Sequence, residues 1–441
     1  MSYTFKNSYL FRISFISALG GYLFGFDFAV ISGALPFLQK QFVLTPSWEG
    51  FATGSLAIGA ILGCILAGQI ADKYGRRPGL MLAAGLFCAS SLAMALSPNR
   101  DVFVLARLIA GIGVGMASML SPMYISEIAP PNIRGRLVAM NQLTLVLGIL
   151  ITNLVNYALR NSGSEAWRMM FGLGVVPSGL FLLGAYLLPE SPRWLMKNGK
   201  EASAKGILSK IGDDQYVRDS FESVKTSLQG VSRISYRDAF KKAVLPAVLA
   251  GIGLAVFQQF CGINTVFNYA PKIFESIGAS KDNQLLQTVF IGLVNVCFTV
   301  LSMMLVDKVG RKPLMMFGAG GLCILYVIIV HLLSSGSGLV SWFLLAAIGT
   351  YAMSLAPVTW VLISEIFPTK VRAAAIAIAV ISLWLAYFIL VFTFPILFQL
   401  LKENTFYIYA GICGAGFLLI WWGLKETKGK SLEDVDMIIG H

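Results

Sequence analysis

The sequence predicts an all-α membrane protein: twelve transmembrane helices arranged as two six-helix halves, with a cytoplasmic helical linker between them. Three observations lead there. The 441 residues are 56% hydrophobic and only 13% charged, with a mean hydropathy of +0.74, whereas charged residues make up about a quarter of an ordinary soluble domain. Apolar runs of about 20 residues, the length that crosses about 30 Å of hydrocarbon, recur twelve times. The second half of the chain also repeats short signatures of the first at a nearly constant offset, as a duplicated unit does.

The runs fall at 9–36, 48–71, 78–97, 101–126, 136–160, 168–188, 243–275, 284–306, 313–334, 339–366, 374–401 and 405–424. The first is too long for a signal-peptide core and lacks a small-residue cleavage site, so it reads as a retained span. Residues 1–188 thus form one six-helix bundle and 243–424 the other. Between them, 189–242 is polar, and its apolar positions recur at helical spacing around Ala202 to Ile211 and Tyr216 to Leu228, which predicts short amphipathic helices lying on the membrane surface. Residues 425–441 make a short tail. The six cysteines, Cys64, Cys88, Cys261, Cys297, Cys323 and Cys413, sit in apolar stretches without paired spacing and read as small core hydrophobes. No cofactor and no metal site is expected.

Lys and Arg concentrate on the side shared with the termini, and the opposite side carries Lys40, Arg100, Arg160, Arg168, Lys272, Lys281 and Lys402. Cytoplasmic loops carry such an excess, so both termini are expected in the cytoplasm. The formal net charge of +12 is then a basic inner surface facing the lipid bilayer, and nucleic acid is not an expected partner.

Charges inside the spans are the informative exceptions. Asp27 lies in Gly25-Phe26-Asp27-Phe28, in the middle of the first span, where a charge costs from about 2.5 to more than about 10 kcal/mol. Arg107, in the fourth span, is the other strong charge clearly within a membrane helix. A nearby cation keeps a buried carboxylate ionised, and its withdrawal or hydration lets the carboxylate take a proton. The pair therefore reads as a proton-coupling device; the bland alternative is a static ion pair tying the two spans together.

The internal repeat is explicit. Asp72-Lys73-Tyr74-Gly75-Arg76-Arg77-Pro78 returns 235 residues on as Asp307-Lys308-Val309-Gly310-Arg311-Lys312-Pro313, and Ser126-Glu127-Ile128-Ala129-Pro130 with Arg134 returns 238 residues on as Ser364-Glu365-Ile366-Phe367-Pro368 with Arg372. Pro189-Glu190-Ser191 is echoed by Lys425-Glu426-Thr427. On these residues, together with Pro189-Glu190-Ser191-Pro192-Arg193-Trp194, Gln258-Gln259-Phe260-Cys261-Gly262-Ile263-Asn264 and Glu426-Thr427-Lys428-Gly429, the chain resembles the major facilitator superfamily. Within it the match is to the sugar porter family, nearest in pattern to bacterial D-xylose/glucose proton symporters, and covers essentially the whole chain.

The duplicated loops put both signs of charge at the cytoplasmic ends of neighbouring helices: Asp72, Arg76, Arg77, Glu127, Arg134 and Arg136 in one half, Asp307, Arg311, Glu365 and Arg372 in the other. Each exposed bridge is worth about 0 to 1 kcal/mol. A network that forms only when the inner ends of the halves meet would still favour the outward-open state. The resemblance makes this the inner gate and adds Glu190, Arg193 and Glu426 to it.

Neutral amides in apolar surroundings locate a ligand: Gln142 in the fifth span, Gln258, Gln259 and Asn264 in the seventh, and Asn295 in the eighth. Each offers donors and acceptors, which a hydroxyl-rich neutral ring needs, while its C–H face can lie on Trp360 or Trp384. The bland alternative is that such amides tie helices together at roughly 0.6 kcal/mol each. Gly262 is a place where the seventh span could break and expose backbone groups to a cavity. By resemblance, Gln142, Gln258, Gln259, Asn264, Asn295 and Trp360 fall on sugar-contact positions and Trp384 on a pocket aromatic; Phe24 in the first span completes the candidate set. Two departures from the family pattern bear on specificity and outer gating: Leu383 stands where an amide is usual, and Asn268 replaces the first of a usual tyrosine pair.

The sequence thus predicts a proton-coupled monosaccharide symporter, not an enzyme, importing a pentose or hexose by alternating access as a monomer in a bacterial inner membrane. A facilitative sugar uniporter and a non-transporting sugar sensor are the rivals.

Overall fold

The computed structural model describes residues 5, 7–131, 133–229, 240–241, 244–367, 371–424 and 426. The tail beyond Glu426 and part of the linker lie outside them. Among the described residues eighteen α-helices follow in order: α1 (Asn7–Phe42), α2 (Pro46–Lys73), α3 (Arg76–Ala95), α4 (Arg100–Ile128), α5 (Arg134–Leu159), α6 (Ala166–Gly172), α7 (Val175–Leu187), α8 (Pro192–Lys197), α9 (Glu201–Leu208), α10 (Asp214–Gln229), α11 (Leu245–Phe260), α12 (Ile263–Glu275), α13 (Lys281–Val309), α14 (Arg311–Ser334), α15 (Val340–Met353), α16 (Leu355–Glu365), α17 (Arg372–Leu401) and α18 (Thr405–Gly423).

Local chemistry sets many of the boundaries. Thr45 caps α2, its hydroxyl accepting from Trp48 N at 3.4 Å ahead of Pro46, and Asn99 caps α4, accepting from Val102 N at 2.9 Å; each satisfies an amide that the first turn leaves without a partner. The apolar stretch 374–423 is 50 residues long, about 75 Å as a helix and far more than one crossing requires. It breaks at Lys402, whose φ is +48°, and so supplies two spans, giving twelve. Three other spans are each built from two helices: the sixth (α6 and α7), the seventh (α11 and α12) and the tenth (α15 and α16). The tenth breaks at Ser354 (φ −127°, ψ −86°). Pro357 explains it, because its missing N–H cannot bond the carbonyl of Met353 and its ring crowds that carbonyl.

The first six spans pack on one another, and so do the last six; α2 against α17, α5 against α13 and α1 against α12 join the two groups. Glycine allows a close crossing of α2 over α4: a Cβ on Gly59 would lie 2.0 Å from Leu108 O, and one on Gly111 2.1 Å from Leu56 O. Without hydrocarbon-excluded water to drive association, such close backbone approach supplies the packing energy. Large apolar side chains such as Trp342, Leu400, Leu419 and Trp422 are exposed, as lipid-facing residues are. The linker helices α8 and α9 dock beneath the first half, where Trp194 Nε1 donates to Asp72 O at 3.1 Å, and Phe5 pairs with Gly212. This side of the molecule, which also holds Glu426, is the terminal face; the other is the far face.

Candidate functional site

Near mid-span, α1 and α4 bring Asp27 and Arg107 together. Both are fully buried, and the contact is bidentate, Arg107 Nη2 donating to Asp27 Oδ2 at 2.9 Å and Nη1 to Oδ1 at 3.3 Å. Such fork-to-fork pairing is among the strong charge-assisted bonds. Arg107 Nη2 also lies 3.5 Å from the Thr53 carbonyl of α2. The two residues that stood out as charges within spans are therefore direct partners.

Of the candidate sugar contacts, Gln258, Gln259 and Asn264 join in one network within the second half, and Phe24 meets Trp384 across the two halves. Asn264 donates to Gln259 Oε1, Gln259 donates to Gln258 Oε1 at 2.7 Å, and Gln258 donates to the Tyr351 hydroxyl at 2.8 Å. This chain of amides straddles the break in the seventh span, where Gly262 holds φ +86° in the left-handed region that glycine adopts without cost. A Cβ there would meet Tyr409 Cγ at 2.4 Å. One turn on, Asn268 donates to Asn264 O at 2.7 Å and accepts from Tyr387 Oη at 3.2 Å. Across the seam, Phe24 of α1 packs on Trp384 of α17 with centroids 5.2 Å apart, and Phe28 on Tyr387 at 5.1 Å. Asn295 of α13 is buried, Gln142 of α5 is half-buried, and Trp360 of α16 is 39% exposed.

Sequence reasoning missed Tyr351 and Tyr387 as members of this network. It left Asn268 as a departure, and here Asn268 bridges Tyr387 to the backbone of α12. The tyrosine that follows it, Tyr269, is buried, donates to Val391 O at 2.8 Å and stacks on Phe394. Leu383 is buried beside Trp384.

A family model described as "Sugar (and other) transporter" matches residues 13–438. The chain belongs to this family. It is 39% identical to the D-xylose-proton symporter of Escherichia coli (strain K12) over 483 residues, covering 99% of this chain and 97% of that one. To the arabinose-proton symporter of Bacillus subtilis (strain 168) it is 38% identical over 441 residues, covering 98% and 95%. Among solved structures, the major facilitator superfamily proton:xylose symporter XylE bound to 6-bromo-6-deoxy-D-glucose matches with a TM-score of 0.83 at 38% identity, over 98% of this chain and 99% of that one. The protein is thus a multi-pass membrane transporter of the major facilitator fold and not an enzyme.

On the terminal face of this sugar transporter, the duplicated charges form two matching clasps. In the first half, Arg76 donates from Nη2 and Nε to both oxygens of Glu127 at 2.8 and 2.9 Å, and Glu190 accepts from the amides of Arg76 and Ser191 at 2.9 and 2.8 Å and of Arg77 at 3.2 Å. In the second, Arg311 Nη2 donates to Glu365 at 3.0 Å, and Glu426 accepts from the amides of Arg311 and Lys312, each at 3.0 Å. Each glutamate caps the first turn of α3 or α14, where anions are favoured. Gly75 and Gly310 precede those turns at φ +108° and +106°, and a Cβ on either would strike the capping carboxylate, at 2.1 and 2.8 Å. Burial raises the pKa of Glu190, and the amide bonds it accepts oppose that shift. These contacts lie within one half; they explain the third echo in the sequence as a repeated helix cap.

The other gate candidates are more peripheral. Asp72 is exposed and pairs with Lys197 at 3.2 Å and Arg76 at 3.7 Å. Arg77 donates to Tyr186 O at 2.6 Å, Arg134 to Ala129 O at 3.4 Å and Arg372 to Phe367 O at 3.0 Å. Arg193 is exposed, and the side chain of Asp307 lies outside the described ones.

Proposed function

We propose that this protein is a proton-coupled importer of a monosaccharide, a pentose or a hexose, that works by alternating access with its terminal face in the cytoplasm. The observation that carries the reading is the bidentate Asp27–Arg107 pair, fully buried in a sugar transporter whose relatives are named as proton symporters of D-xylose and arabinose. Asp27 is the proton carrier and Arg107 the cation that sets when it loads. While the two are in contact the Arg107 guanidinium opposes protonation of the carboxylate; separation of α1 from α4, or water reaching Arg107, weakens that opposition.

The sugar sits at the seam of the halves. Gln142, Gln258, Gln259, Asn264 and Asn295 exchange hydrogen bonds with its hydroxyls, and Trp360, Trp384 and Phe24 meet its C–H faces. The existing amide chain supports this role, because groups already bonded to one another can trade those bonds for ligand bonds at little net cost. Arg76, Arg77, Asp72, Glu127, Arg134, Glu190 and Arg193, with Asp307, Arg311, Glu365, Arg372 and Glu426, shape the inner gate. The two bundles, 1–188 and 243–424, rock about the seam, and one chain supplies every group, so the monomer is the working unit.

Sugar-linked proton entry tests the proposal. Adding D-xylose, L-arabinose or D-glucose to lightly buffered proteoliposomes should alkalinise the medium for at least one of them. Sugar equilibration with no pH change would make the protein a uniporter; no uptake or binding of any of the three would remove the assignment to these sugars.

A further inference from the structure

Glu49 is the fourth residue from the far-face end of α2 and is 1% exposed. Its Oε2 accepts from Lys272 Nζ of α12 at 2.7 Å and from Gln39 Nε2 of α1 at 2.7 Å. Its Oε1 is buried and takes no hydrogen bond within the described residues. Lys272 is itself largely covered, its side chain 24% exposed. This ion pair joins the first six spans to the last six, unlike the clasps of the terminal face. A second inter-half pair, Arg160 to Asp282 at 2.8 Å, lies on the same face and is more exposed.

The element that Lys272 belongs to is built to move. α12 starts at the Gly262 break and carries a second non-helical residue, Tyr269 (φ −121°, ψ 17°), just before Pro271. It also bears Asn264 and Asn268, which face the amide network. Glu49 therefore holds the far end of a doubly hinged half-span that roofs the candidate sugar site. On the other side of the contact, the Thr53 hydroxyl donates to the Glu49 carbonyl at 2.9 Å, and the Thr53 carbonyl is the one that Arg107 approaches. The latch sits one helical turn of α2 from the carbonyl that Arg107 approaches.

We propose that Glu49 and Lys272, supported by Gln39, form an ionic latch that holds the outer mouth shut and sets how readily the carrier opens outward. The assignment takes the orientation given under the proposed function but needs neither proton coupling nor a particular sugar. An ion pair between two bodies that separate exists in only one of the two states, so its free energy biases that equilibrium directly. A pair of this burial is costly to break by removing one partner. Glu49 and Lys272 are positioning residues: they act on α12 and touch no substrate.

Hydrogen–deuterium exchange of the full-length transporter in nanodiscs tests the latch. Glu49→Gln and Lys272→Gln should each raise backbone exchange about tenfold in 46–53 and 263–279 and lower it in 76–80 and 311–315, a tenfold shift being the equivalent of 1.4 kcal/mol. The charge-swapped variant Glu49→Lys with Lys272→Glu should recover most of the protection. Unchanged exchange in the outer segments, a rise on both faces of the membrane, or no recovery in the swapped variant overturns the assignment. Failure of sugar-linked proton uptake in the unmodified protein leaves this outcome readable, because exchange is measured without sugar or gradient.

Discussion

Replacing Asp27 with asparagine is expected to uncouple the carrier while costing it stability, and the geometry fixes both effects. The side chain keeps nearly the same shape, yet the charge that balances Arg107 is lost where both groups are fully buried. Breaking a buried pair from one side costs about 3 to 5 kcal/mol, because the remaining charge has no compensation. The thermal midpoint should therefore fall. A double variant, Asp27→Asn with Arg107→Gln, removes both charges and should recover much of that loss, since replacing both partners of a buried pair is far cheaper than orphaning one. Transport sets both variants apart from the unmodified protein. One proton moving through 100 mV carries about 2.3 kcal/mol, equivalent to about a 50-fold sugar accumulation. In proteoliposomes with an imposed total proton-motive force of about 100 mV, the unmodified protein should approach that ratio; both variants should equilibrate sugar to a ratio near one and keep counterflow. Accumulation above unity by Asp27→Asn would refute the role of Asp27, and a double variant no more stable than the single one would refute the energetic argument.

Further outcomes follow from the site and the clasps. Gly262→Ala places a Cβ against Tyr409 at a φ of +86°, a left-handed conformation that costs a side chain about 1 to 2 kcal/mol; sugar binding measured by calorimetry should weaken about tenfold or more. Gln259→Ala removes the middle of the amide chain and leaves Asn264 and Gln258 short of one bond each, at about 1 to 3 kcal/mol, so the thermal midpoint should fall and KM for the transported sugar should rise. Glu190→Ala and Glu426→Ala each remove a helix cap, worth about 0.5 to 2 kcal/mol; the losses in denaturation experiments should be of similar size and should add, since the two caps share no partner.

The fold was legible because its signals are long and redundant: twelve apolar runs need no tertiary information. The Asp27–Arg107 pair was legible for a related reason, since strong charges within spans are so few that each points to the other. Gly262 announced its break by residue type, and Pro357 carried the same kind of signal for Ser354 without being read. The amide network was visible only in part. Gln258 and its partner Tyr351 are 93 residues apart, Asn268 and Tyr387 119, and Glu49 and Lys272 223; no local pattern links such pairs. Glu426 was seen as an echo of Glu190 and a member of the inner gate while its capping bonds stayed hidden, because a cap is recognised by the helix it sits on, and that helix is more than a hundred residues upstream in each case.

The paired clasps bear on how such a chain could have arisen. Each set of six spans ties its last exit to the start of its own third helix, so each is finished without help from the other copy. A gene encoding one such unit would yield two identical chains meeting face to face, and any residue added to one would be forced on both. Fusion of the copies lifts that constraint: Asp27 and Arg107 have no charged counterparts at the matching positions of the second unit. The repeat is kept where both sides must hold themselves together, and it is absent at the buried Asp27–Arg107 pair.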